Sequence, residues 1–169
     1  DQTSEDLREF NLKDCLHDTL VSLGPRLSRC RQTVSVLCPD DIRMRNSPGV
    51  FYQIVSNLVL NAIIHAWDSP DEDGTITVSA ELESDTLVLT VTDDGQGMDE
   101  QTCSRIFDPF FTTRHESGGS GLGLYIVYNL VDQQLKGCIT CTSKPGKGTC
   151  FRIRCPGRNR PDIQKGENR

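Results

Sequence analysis

The stretch Thr86-Leu87-Val88-Leu89-Thr90-Val91-Thr92-Asp93-Asp94-Gly95-Gln96-Gly97 decides the fold. Its first eight residues alternate and are rich in β-branched side chains, so they read as a strand. The strand ends on a carboxylate, Asp93, and runs into Gly95-x-Gly97. Glycines after a strand-end carboxylate let backbone come close to a flat ligand. Taken alone, the same residues also make a plain Asp-Gly turn. Upstream, Thr75 to Leu82 alternates as well, and a short turn joins the two strands into a hairpin.

Working outward, Ser47-Pro48 is a helix start, and the helix runs to about Trp67. Gln53, Asn57, Asn61 and His65 recur every four residues along it and form one stripe. Carboxamides in an otherwise apolar helix need partners: neighbouring backbone, solvent, or a hard cation. Further upstream, Leu12, Leu16, Leu20, Leu23 and Leu27 mark one amphipathic helix from Asn11 to about Arg31. Thr33 to Cys38 reads as a strand, and Ile42 to Arg45 as a short one. Downstream, Asp99 can cap a short helix toward Ile106. Phe107, Phe110 and Phe111 follow, then a Gly/Ser-rich segment, Thr112 to Ser120, expected to be mobile. Gly121 to Leu135 is helical. Gly137–Ser143 and Thr149–Cys155 form a second hairpin around Pro145-Gly146-Lys147-Gly148. The elements give helices on one face of a mixed, mostly antiparallel sheet.

The chain has 169 residues, enough for one domain with a core, and its 36% apolar and 25% charged residues suit a soluble globular protein. A net charge of −6 argues against nucleic acid as the main partner. No run is long enough to span a membrane, so no direct membrane contact is expected. The chain opens on Asp1 and is read as an excised piece, with residues 1–9 a remnant of an upstream segment, 10–155 the domain, and 156–169 a polar, basic tail or linker. Of the eight cysteines, only Cys138 and Cys141 have a CxxC spacing. No second pair completes a zinc set, and strand positions three apart face opposite sides. Small incidental thiols in a reducing compartment are the reading, with redox sensing or zinc as the alternatives.

Asn57-Leu58-Val59-Leu60-Asn61-Ala62, Asp93-Asp94-Gly95-Gln96-Gly97, Phe107-Asp108-Pro109-Phe110-Phe111 and Gly119-Ser120-Gly121-Leu122-Gly123-Leu124, in this order, resemble the N, G1, F and G2 boxes of the ATP-binding catalytic domain of bacterial sensor histidine kinases. That domain shares a superfamily with gyrase, the Hsp90 chaperones and MutL. The resemblance implies an α+β, two-layer α/β sandwich, the Bergerat fold. It implies ATP and Mg²⁺ as cofactors, with Asn61 the Mg²⁺ ligand and Asn57 supporting metal or phosphates. Asp93 would accept the exocyclic amine of adenine, and Gly95 and Gly97 would leave room for the ring. His65 would lie near ribose and phosphates. The aromatics, Phe110 among them, would anchor a mobile lid, and Arg114 would be a lid cation for the γ-phosphate. Gly119, Gly121, Leu122 and Gly123 would bind phosphate at a helix start. Thr149 belongs to a further glycine motif, where a tight turn serves as well as ligand contact. Ile64 stands where many members carry Lys or Arg.

Hydrolytic members place a Glu general base where Asn57 stands, and Asn has no proton affinity useful for activating water. The resemblance therefore implies a kinase that holds Mg-ATP for a histidine on a separate dimerisation domain, with a response regulator receiver domain as the indirect partner, in the cytoplasm or on the cytosolic side of a membrane-anchored sensor. A hydrolase or Ser/Thr kinase of the same fold, and a module that binds without catalysis, are the alternatives.

Overall fold

The computed structural model of the chain describes residues 7–114 and 120–157. Strand β1 (Arg8–Asn11) leads into α1 (Leu12–Ser22) and the one-turn α2 (Gly24–Leu27). Then come β2 (Thr33–Leu37), β3 (Arg43–Asn46), α3 (Pro48–His65), β4 (Thr75–Glu83) and β5 (Thr86–Asp93). The described chain closes with α4 (Glu100–Arg105), α5 (Gly123–Asn129), β6 (Cys138–Ser143) and β7 (Thr149–Pro156). Helix α5 continues as a π-helical turn, Leu130–Gln134.

The main sheet has the strand order β2-β4-β5-β7-β6. Only the β2–β4 pair is parallel; the other neighbours are antiparallel. The expected α+β sandwich with a mixed, mostly antiparallel sheet is what the chain forms. Period-two alternation explains why. On β5, Leu87, Leu89 and Val91 point inward; on β7, Cys155, Ile153 and Phe151 stand directly opposite them. The outer face carries Ser79 and Thr90, whose hydroxyls bond each other across the strands. Helix α3 covers the inner face with Phe51, Ile54, Val55, Leu58 and Val59, all essentially excluded from solvent. Each such side chain contributes roughly 1.5–3 kcal/mol of burial free energy.

Two helix bounds are corrected, and the polar start of the described chain is strand: Arg8 and Glu9 pair with Asn46 and Arg45 of β3. Phe10, next in line, docks edge-on against Phe51 at 5.6 Å between ring centroids, which holds the strand in place. The single helix Asn11–Arg31 is broken after Ser22. Pro25 sits in the first turn of α2, where its missing N–H is harmless, and it cannot continue α1. The helix Gly121–Leu135 starts later, at Gly123, and ends in the π turn.

Phe51 joins α3, β1 and the sheet, so Phe51→Ala should lower stability by about 3–5 kcal/mol, read from chemical denaturation midpoints.

Candidate functional site

The loop after β5 is clamped to two other parts of the chain. Gln96 donates its backbone N–H to the Ala66 carbonyl at 2.8 Å and its side-chain amide to the His65 carbonyl at 2.8 Å. These bonds satisfy carbonyls that end α3. Gly95 must be glycine for this: a Cβ there would lie 2.3 Å from the Ala66 carbonyl oxygen. On the other side, Gly97 (φ +68°) leaves no room beside the Lys144 carbonyl, 2.0 Å from where a Cβ would stand. At Gly148 (φ +72°) a Cβ would likewise stand 2.0 Å from the Asp93 carbonyl oxygen. The Gly146 N–H donates to the Gln96 carbonyl at 2.7 Å. The glycines after Asp93 thus serve backbone packing, and Gly97 also lines the cavity described next.

Asp93 stands directly opposite Thr149, extending the inward row of β5 and β7 by one polar pair. It is only 8% exposed. Its carboxylate accepts the Gly95 N–H at 2.9 Å. Burial pushes its pKa up, and the backbone N–H groups of Gly95 and Thr149 pull part of the way back. Thr149 also shares a 2.9 Å hydroxyl contact with Ser143, whose Oγ accepts from the Met98 N–H. Asp93 and Thr149 therefore close the floor of a cleft whose walls include Asn61, His65, Gly97 and Met98.

The helix stripe lands where its spacing places it. Asn61 and His65 line a cleft of about 280 Å³ with Gln96, Thr102, Ile106 and Phe111. Asn57 and Asn61 line a contiguous hollow of about 150 Å³ with Ser120, Gly121 and Gly123. Asn57 donates to the Gln53 carbonyl at 2.9 Å, and its Oδ1 is 3.3 Å from where a Gly123 Cβ would be. Among the described residues the Asn61 carboxamide has no hydrogen-bond partner, leaving its oxygen available to a ligand. His65 Nδ1 lies 3.3 Å from the Thr113 hydroxyl. Burial, then the positive charge of Arg114, lowers the His65 pKa, so the ring is neutral at pH 7.

The aromatic segment divides its work. Phe107 packs on Tyr128 and on Phe151 of β7. Phe110 lines neither hollow: the residue is 68% exposed, and its backbone is left-handed at φ +65°. Its N–H donates to the Gly121 carbonyl at 2.8 Å, which pins together the two ends of the segment between them. Phe111, one residue on, lines the cavity. Arg114 is turned toward the end of α3, donating to the Trp67 carbonyl at 3.0 Å and pairing with Asp68 at 3.2 Å. Gly121 (φ +71°) and Leu122 precede α5, and Leu122 does not line either hollow. Gly119 lies outside the described residues. The sequence reading missed Met98, Thr102, Ile106 and Leu124. Thr102 on α4 and Ile106, the cap just past its end, stand four apart on one face, a signal present but too short to distinguish from core packing.

Residues 46–159 match the sequence family described as histidine kinase-, DNA gyrase B- and HSP90-like ATPase. The chain belongs to this ATPase family. The sensor kinase CckA of Brucella abortus is 32% identical over 89% of the chain and 18% of its own length. The sensor histidine kinase ZraS of Salmonella typhi is 42% identical over 68% of the chain and 23% of its own length. The chain thus spans about a fifth of these curated relatives, 18% and 23%. In three dimensions it is similar to the nucleotide-free catalytic domain of histidine kinase ThkA, with a TM-score of 0.78, 25% identity, and coverage of 90% of this chain and 97% of that one. ATP use goes with membership of this family.

Two outcomes follow from this geometry. Gly148→Ala should cost more stability than Gly146→Ala, which has open space around it and bears only the left-handed backbone cost of about 1–2 kcal/mol; urea midpoints compare them. Folding raises the Asp93 pKa, so the native state keeps that proton to higher pH than the unfolded chain, and stability falls as pH rises through the window. Asp93→Asn should therefore unfold at higher urea than the parent at pH 7, with the gap closing below the ordinary carboxylate range.

Proposed function

We propose that this chain is the Mg-ATP-binding, phosphoryl-donor domain of a sensor histidine kinase. The observation that carries the reading is the absence, among the described residues lining the cleft, of a carboxylate free to activate water. Asp93 is engaged by the Gly95 N–H, and Asp99 accepts the Thr102 N–H as the cap of α4. Asn57, a carboxamide, stands on the stripe beside the phosphate-side hollow. Such a site holds the γ-phosphoryl group for another acceptor.

The residues present fit a hard cation. Asn61 offers an unpartnered carboxamide oxygen, with Asn57 one turn before it, and Mg²⁺ needs only one or two protein oxygens when phosphates and water complete its shell. When bound, Mg²⁺ supplies charge neutralisation on the phosphates. Asp93 accepts the adenine amine at the floor of the cleft. Backbone N–H groups around Gly121 and Gly123, at the start of α5, face the phosphates. Arg114 leaves Asp68 for the γ-phosphate when ATP is bound. An imidazole nitrogen of a separate dimerisation domain then attacks the γ-phosphorus in line; the new N–P bond forms as the bond to the bridging oxygen breaks, and ADP departs. Positioning and electrostatics supply the catalysis. A response regulator receiver domain would take the phosphoryl group next, in the cytoplasm. No helix among the described residues is long and apolar enough to cross a membrane.

Calorimetric titration with Mg-ATP tests the reading. Saturable heats and a flat baseline are expected; sustained power after saturation would make the chain a hydrolase, with neutral His65 the base to examine. Asp93→Asn should weaken ATP by about 1–3 kcal/mol, the loss of a charged hydrogen bond. Asn61→Ala should remove the Mg²⁺ dependence of binding, and a variant that keeps it would refute the metal role.

A further inference from the structure

The eight cysteines are not used by the nucleotide reading, and two of them touch. The Cys103 thiol of α4 donates to the Cys141 sulfur of β6 at 3.5 Å. The CxxC spacing is thereby incidental: Cys138 is exposed, whereas Cys141 lies on the inward face of β6 with Ile139 and Ser143. Cys15, Cys30 and Cys38 direct their thiols at backbone carbonyls. No cluster of three or more metal-ligating side chains exists among the described residues, which sets zinc aside.

The location gives the pair its interest. Thr102, beside Cys103 on α4, and Ile106 just past the helix end both line the nucleotide cleft. The start of this segment is already tied to β6, because the Met98 N–H donates to Ser143 Oγ at 2.8 Å. Cys103–Cys141 meet farther along the same seam. We infer that Cys103 and Cys141 are an oxidisable dithiol whose disulfide clamps α4, one wall of the cleft, to β6 and alters nucleotide binding.

The sulfurs need to approach by only about 1.5 Å to reach bonding distance. The oxidant class is a hydroperoxide. Helix α4 buries none of its residues, so peroxide reaches Cys103 from solvent. The Cys103 thiolate attacks a peroxide oxygen, the O–O bond breaks, and a sulfenic acid forms as alkoxide or hydroxide leaves and takes a proton. Cys141 sulfur then attacks the sulfenic sulfur; the S–S bond forms, the S–O bond breaks, and the Cys141 proton departs with the oxygen as water. Two thiols lose two electrons, and one peroxide gains them. Burial raises the Cys141 pKa and keeps it protonated until that second step.

The test treats the purified chain with limiting hydrogen peroxide and maps links by mass spectrometry without reductant. One link, Cys103–Cys141, is expected, with the mass lower by two hydrogens; Cys138→Ser should keep it and Cys141→Ala should lose it. Mg-ATP affinity of the oxidised chain should then differ from the reduced chain by at least about threefold and return on reduction, while Cys103→Ser should show no such change. A link at other cysteines, sulfinic acid at Cys103 with no link, or a correct link with unchanged affinity overturns the inference. The clause on affinity rests on the nucleotide reading, and the reduced chain is its control: failure of the reduced chain to bind ATP refutes that reading and leaves the mass result to decide the dithiol.

Discussion

Everything at the site depends on one close approach: the carbonyl of Asp93 against the α-carbon of Gly148. It fastens the end of β5 to the turn before β7, and the reciprocal contact of Gly97 on the Lys144 carbonyl locks the same joint from the other side. With Gln96 holding the end of α3, three segments distant in sequence share one backbone junction. No side chain could substitute for these contacts, because the room between the backbones is smaller than a methyl group. The floor of the cleft is therefore set by main-chain geometry, and its side chains are placed by it.

The inward row of β5 shows how a polar cleft is attached to a core. Leu87, Leu89 and Val91 are followed at the same period by Asp93. The helix layer that covers the first three also shields the carboxylate, so its charge is held in a dry place by two backbone N–H groups. A carboxyl placed this way resists ionisation. Its cost in folding free energy is one form of the conflict between stability and function expected at binding sites.

Much of this was legible beforehand. Strand periodicity fixed β4, β5, β6 and β7, and the four-residue spacing of Asn57, Asn61 and His65 put them on one wall. What failed did so for physical reasons. Leucine spacing continues across Gly24-Pro25, so periodicity alone joined two helices that the proline separates. Phe110 and Phe111 are indistinguishable by composition; the left-handed backbone at Phe110, set by its bond to Gly121, decides which ring faces the cavity. Arg114 meets the carbonyl of Trp67 and the carboxylate of Asp68, partners that no local spacing announces. The Cys103–Cys141 contact joins a helix to a strand, and no local spacing announces it. Arg8 and Glu9 look like a polar end until β3 supplies a partner.

The register of β5 with β7 also orders the assembly of the molecule. Each hairpin, β4–β5 and β6–β7, closes a short loop and can form from neighbours in the chain. Asp93 and Thr149 meet only when the two hairpins join across a long intervening segment. Such non-local pairing bears the larger loop-closure entropy and comes later in folding. A chain halted with both hairpins made but unjoined would hold much of its sheet and have no cleft floor at all, so any ligand of that cleft can stabilise only the completed fold.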